Sequence, residues 1–108
     1  MKRRTVIVSS AASDDVAGLL DYVMATRDLA AATALDQRLD DALANLARLP
    51  DRGRVVPELR ARGISIYREL QPPPYRIVYR TVGAEVWVLA IVDGRRDLDS
   101  LLFERARR

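Results

Sequence analysis

From Tyr75 to Val92 the chain reads as two strands joined by a short turn. Tyr75-Arg76-Ile77-Val78-Tyr79-Arg80-Thr81-Val82 is rich in β-branched and aromatic residues, Gly83-Ala84 turns the chain, and Glu85–Val92 is almost entirely apolar. Alternation along the first strand puts Tyr75, Ile77 and Tyr79 on one face and Arg76, Val78 and Arg80 on the other. The unbroken apolar run of the second predicts the central, most buried strand, with Trp87 in the core. Past its end stand Asp93-Gly94-Arg95-Arg96-Asp97, which places cations at the end of a small sheet. Guanidinium groups there suit phosphate or an acidic protein.

The rest of the chain supplies helices and further strands. Thr5–Ser9 predicts a short strand. Ser10 or Ser13 is expected to cap the next helix, with Asp14 and Asp15 in its first turn and Val16, Leu19, Leu20 and Val23 on one stripe. After a break near Thr26-Arg27-Asp28, a second helix is expected from Leu29 to Arg48. Its stripe is Leu35, Leu39, Leu43 and Leu46, and the alanines around it predict a closely packed antiparallel hairpin. Pro50 and Gly53 end it. Residues Pro50 to Gly63 read as a loop carrying Arg52, Arg54, Arg60 and Arg62. A strand from Ser65 to Leu70 then stops at Pro72-Pro73-Pro74, a stiff extended connection. Asp97 is expected to cap a last short helix with Leu98, Leu101 and Leu102 inward and Arg105, Arg107 and Arg108 at its end. The order is β-α-α-β-β-β-α. It predicts an α+β domain spanning residues 1–108, in two layers: a helical hairpin on a mostly antiparallel four-stranded sheet whose other face stays partly open.

Composition removes several chemistries. With no cysteine there is no disulfide, thiolate metal site or thiol nucleophile, and with no histidine the commonest general base and metal ligand are missing. No metal or other cofactor is expected. Asp36, Asp40 and Asp41 form a solvated stripe on the second helix and not a metal site. Seventeen arginines against one lysine give a net charge of +3, a mild excess that fits an acidic partner or nucleic acid. Met1-Lys2-Arg3-Arg4 is basic, but the apolar stretch after it is far short of a secretory core of roughly 7–15 residues. No segment reaches the ~20 apolar residues of a membrane span. A cytoplasmic protein is expected.

The pieces Val6–Ser9, Leu59-Arg60, Gly63-Ile64, Ile66-Tyr67-Arg68-Glu69-Leu70, Tyr75-Arg76-Ile77-Val78-Tyr79 and Val88–Val92 followed by Gly94-Arg95-Arg96-Asp97 occur in the order of the RelE/ParE toxins of bacterial toxin–antitoxin pairs. The chain resembles that superfamily over nearly its full length. The RelE branch implies a ribosome-dependent mRNA endonuclease, and Arg68, Arg76 and Arg96 match its basic residues. Its aromatic or histidine position falls near Leu102, which can neither move a proton nor stack on a base. The ParE branch is the better match, with its long hairpin, its Tyr-Arg-Ile-x-Tyr strand and its Gly-Arg-Arg pair. It implies a toxin of a type II module that inhibits DNA gyrase and traps cleaved DNA without chemistry of its own. It also implies an acidic ParD-like antitoxin that binds in a hetero-oligomeric complex, and no sequence-specific DNA binding by the toxin.

The target-binding candidates are accordingly Arg68, Arg76, Arg80, Arg95 and Arg96, with no catalytic residue assigned. Arg76 has a second, structural reading as the partner of a carboxylate such as Glu69 or Glu85. One of Arg95 and Arg96 is expected to pair with Asp93, Asp97 or Asp99 and the other to be exposed. The antitoxin candidates are Leu35 and Leu39, in a groove between hairpin and sheet, with Arg52, Arg54, Arg60 and Arg62 on its rim.

Overall fold

The computed structural model describes residues 3–107; the basic start at Met1-Lys2 and the terminal cation Arg108 lie outside the described residues. The elements run β1 (Thr5–Val8), α1 (Ser10–Thr26), α2 (Leu29–Arg48), β2 (Arg54–Val55), α3 (Pro57–Arg60), β3 (Arg68–Leu70), β4 (Tyr75–Val82), β5 (Glu85–Asp93) and α4 (Asp99–Ala106). The fold is α+β, with the expected hairpin on the expected sheet. The sheet has five strands in the order β1-β5-β4-β3-β2, not four, and β4 rather than β5 lies at its centre. β2 to β5 form an antiparallel meander. β1 runs parallel to β5, with Thr5 beside Glu85 and Val8 beside Val88.

Hydrophobic burial fixes the layers. On one face Ala12, Leu35, Leu39 and Leu46 of the hairpin close on Ile77, Tyr79, Val86, Val88 and Ile91. Each of the buried leucines is worth on the order of 2 kcal/mol. The second face is less open than expected. Leu59 of α3 and Leu102 of α4, together with Val56 and Leu98, cover Tyr67, Val78, Ala90 and Val92.

A β-bulge makes this division possible. Val78 pairs with Ala90 and Tyr79 with Val88, so Leu89 has no partner. The extra residue shifts the side-chain alternation, and Val88 and Ile91 both face the hairpin while Ala90 and Val92 face α4. Trp87 falls on the second face beyond the reach of the short helices. It is 40% exposed and not the core residue expected from its apolar strand.

Local signals explain most element ends. Ser9, and not Ser10 or Ser13, caps α1: its Oγ accepts from the Ala12 amide at 3.1 Å. Asp28 caps α2 through the Ala31 amide at 2.8 Å. The proline run makes a tight turn rather than an extended connection, with a cis Pro73–Pro74 bond and the Tyr75 amide donating to the Pro72 carbonyl at 2.9 Å. At α4, Asp97 accepts from the Asp99 amide at 3.3 Å, but the residue in the capping position is Leu98. No helix of the described residues is long and apolar enough to cross a membrane.

Candidate functional site

Arg76 projects from β4 onto the second face and is only 7% exposed. Its Nε donates to Glu69 Oε1 at 2.7 Å, and its Nη1 and Nη2 donate to Glu58 Oε2 and Oε1 at 2.6 and 2.7 Å. Glu69, from neighbouring β3, is 1% exposed, and its other oxygen accepts from Arg54 Nε at 2.6 Å. The cluster is neutral: two guanidinium groups meet two carboxylates. Gly94 seals it from above, because a Cβ there would sit 2.9 Å from both Cγ and Cδ of Arg76. Buried charges persist only when paired this fully. The structural reading of Arg76 therefore describes its position. Of the expected partners Glu69 is used and Glu85 is not, and the second partner is Glu58 of α3. A surface contact with a target is closed to Arg76 as folded.

Hydrogen bonding to Arg76 holds the Glu58 carboxyl below its ordinary value and outweighs the opposing effect of burial. The same contacts raise the Arg76 pKa. A carboxylate whose folded pKa lies below its unfolded one contributes stability at higher pH and loses it as pH falls through the folded pKa. The melting temperature is expected to drop as pH falls from about 5 to about 3. Asp93 and Asp99 are lowered by Arg95 and Arg62 and add slopes of the same sign. Glu58→Gln isolates the first contribution: melts across that range should be shallower than wild type, and equal slopes would remove Glu58 from the account.

The remaining target candidates are spread over two regions. Arg95 and Arg96 follow β5, both exposed. Arg95 pairs with Asp93 at 2.6 Å, whereas Arg96 takes no part in an ion pair among the described residues. A groove of about 540 Å³ runs beside them, with Leu19, Tyr22, Ile91 and Val92 among its walls. Arg80 and Arg68 stand elsewhere. Arg80 lies 5.9 Å from the centre of the Tyr67 ring, beside the exposed Trp87, and its buried Nε has no hydrogen-bond partner among the described residues. Arg68 Nη1 donates to the Gly53 carbonyl at 2.9 Å.

The antitoxin candidates do not converge on one groove. Leu35 and Leu39 are buried in the hairpin–sheet core, so no open groove exists where they lie. Arg54 is engaged by Glu69, and Arg62 by Asp99 at 3.0 Å and by the Phe103 ring. Arg52 and Arg60 are exposed. The segment read as a loop holds β2 and α3, the latter started by Pro57.

One tie escaped sequence reading. Asp15 of α1 meets Arg105 of α4 through two bonds of 2.5 and 2.8 Å. Asp15 also accepts from the Ile91 amide at 3.0 Å, and Arg105 donates to the Leu89 carbonyl at 3.3 Å. The pair satisfies β5 backbone groups just past the end of β1. No local pattern could link residues this far apart.

The chemical repertoire is narrow. Tyr79 Oη donates to the Pro50 carbonyl at 2.7 Å and accepts from the Gly53 amide at 3.0 Å, and burial pushes its pKa up. Leu102, at the position where the nuclease pattern wants an aromatic or histidine, is buried in the core. Asp36, Asp40 and Asp41 are exposed, and no metal-binding cluster occurs among the described residues.

Known proteins place this geometry. No curated protein gives a significant match. Two solved structures are similar in fold. The chromosomal ParDE toxin–antitoxin system from P. aeruginosa matches with a TM-score of 0.69 at 17% identity, covering 84% of this chain and 96% of that one. The toxin–antitoxin complex RelBE2 from Mycobacterium tuberculosis matches with a TM-score of 0.60 at 20% identity, covering 84% and 98%. The family model of the ParE toxin of the type II toxin–antitoxin system parDE matches residues 6–98, which take in the hairpin, the sheet and Arg95 and Arg96 but not α4. The chain belongs to the ParE toxins of type II toxin–antitoxin systems.

Proposed function

We propose that this toxin inhibits DNA gyrase by binding, trapping the enzyme on cleaved DNA, and that a ParD-like antitoxin neutralises it. The observation that carries the reading is the state of Arg76. A phosphate-stabilising arginine must meet its substrate, and this one is spent on Glu58 and Glu69. Nor does the chain offer a histidine, or an exposed tyrosine past β4, to move a proton. An inhibitor needs neither. Arg95 and Arg96 beside the α1–β5 groove are its best-placed contact surface. An acidic, amphipathic antitoxin tail lying on the apolar walls of that groove would cover the same arginines.

The experiment is gyrase supercoiling of relaxed plasmid with purified toxin, scored for linear DNA after protein digestion. Inhibition with accumulated cleavage, reversed by antitoxin, is the expected result. Arg95→Ala with Arg96→Ala should weaken growth inhibition at least about tenfold, the loss of some 1.4 kcal/mol of binding, while barely moving the melting temperature. Full toxicity in that variant would remove the arginine pair from the active surface. One observation favours a second reading, a RelE-like nuclease: the exposed Trp87 ring, with Arg80 beside it, offers a base of single-stranded RNA a surface to stack on. Cleavage of mRNA on programmed ribosomes, with gyrase unaffected, would select it.

A further inference from the structure

At the end of the molecule away from Arg95 and Arg96, four arginines surround a cleft of about 700 Å³. Arg3 and Arg4 come from just before β1, Arg48 from the end of α2, and Arg52 from the loop that follows. Among the described residues none of the four takes part in an ion pair, and the one carboxylate on the cleft wall is Asp51. The chain's whole net charge is +3, so this one cleft concentrates as much positive charge as the entire protein carries in excess.

The walls are fixed by backbone. The Arg4 amide donates to the Ala47 carbonyl at 2.8 Å and the Thr5 amide to the Ala84 carbonyl at 3.1 Å. Arg4 Nη1 leans on the Gly83 carbonyl at 3.2 Å. Tyr79 grips the Arg52 loop from beneath through Pro50 and Gly53. Backbone held in place this way keeps the four arginines gathered around the cleft before anything binds, so less is lost on binding than if the segments had to be brought together.

We infer that this cleft binds the phosphodiester backbone of duplex nucleic acid without reading its sequence. Guanidinium groups match phosphate oxygens in forked geometry. Duplex DNA presents about one negative charge per 1.7 Å of axis, a density that several clustered cations can engage together. Among the described residues no aromatic side chain lines the cleft, so none of them stacks a base there. The inference does not depend on gyrase: it concerns direct contact with nucleic acid, whatever the toxin's protein target.

The test is fluorescence anisotropy of a labelled duplex of about 20 base pairs and arbitrary sequence, titrated with the purified toxin at several salt concentrations. Four phosphate contacts give a log–log slope near −3.6, so affinity should fall about 150-fold between about 50 and 200 mM salt. Arg48→Ala with Arg52→Ala should halve that slope, leaving a fall of about 12-fold. Both residues are exposed, and a wild-type melting curve confirms the fold. Asp51→Asn should tighten binding. Arg95→Ala with Arg96→Ala should leave the slope unchanged, and a duplex of different sequence should bind equally well. An unchanged slope in the Arg48/Arg52 variant would overturn the inference. So would absence of duplex binding at about 50 mM salt while polyglutamate binds, which would make the cleft an acidic-peptide site.

Discussion

Replacing Arg76 with alanine is expected to cost about 3–5 kcal/mol of stability, because it leaves Glu69 buried and without its main counter-charge. That is a large share of the stability of a domain of this size. The melting temperature should fall by more than about 12 °C. Arg54 cannot compensate, since its side chain is 55% exposed and reaches only the other carboxylate oxygen. Arg76→Met with Glu69→Leu should recover most of the loss, since well-packed apolar residues can replace a buried pair at little cost. Glu58 is then left partly exposed to water, which solvates it. The folded double variant also separates the two functional readings: a gyrase inhibitor keeps its toxicity, and a nuclease relying on Arg76 loses it. A single variant within about 1 kcal/mol of wild type would mean that the network is open in solution, and Arg76 would return to the target surface.

Gly53→Ala should be nearly as damaging, by about 3 kcal/mol. A Cβ at Gly53 would lie 2.4 Å from Tyr79 Oη and 2.6 Å from the Glu69 carbonyl oxygen. The loop must shift, which breaks the hydrogen bonds through which Tyr79 holds Pro50 and Gly53. Tyr79→Phe alone should cost about 1–3 kcal/mol for the buried groups it orphans. The two changes should not add, because one contact is lost in both. Urea unfolding of the two single variants and the double variant measures the coupling. Strict additivity would show that glycine is needed at this position for the Glu69 carbonyl alone.

Much of the fold was legible because its signals are local. The bounds of α2 and β4 are those expected from the leucine stripe with Asp28 before it, and from the Tyr-Arg-Ile-Val-Tyr alternation. What the sequence hid depends on distant partners. β2 and α3, two and four residues long, have little pattern of their own and exist because β3 and the second core receive them. Glu58 looks like any loop carboxylate until Arg76 reaches it. The exposure of Trp87 follows from where α4 ends, which its own strand does not encode. The site was legible only in part. The exposure of Arg95 and Arg96 could be read from the turn that carries them, whereas the arginine cleft gathers segments far apart in the chain.

The parallel pairing of β1 with β5 has a temporal side. β1 has its sheet neighbour in β5, made long after it, and Asp15 likewise waits for Arg105, 90 residues further along the chain. Contacts that close so long a loop form late and slowly. The nascent chain can build its helical hairpin early, but the sheet that carries Arg95 and Arg96 closes only once β5 has been made. The two layers of the domain are thereby joined in a fixed order, hairpin first and sheet last, and the toxin is unfinished for as long as β5 is missing.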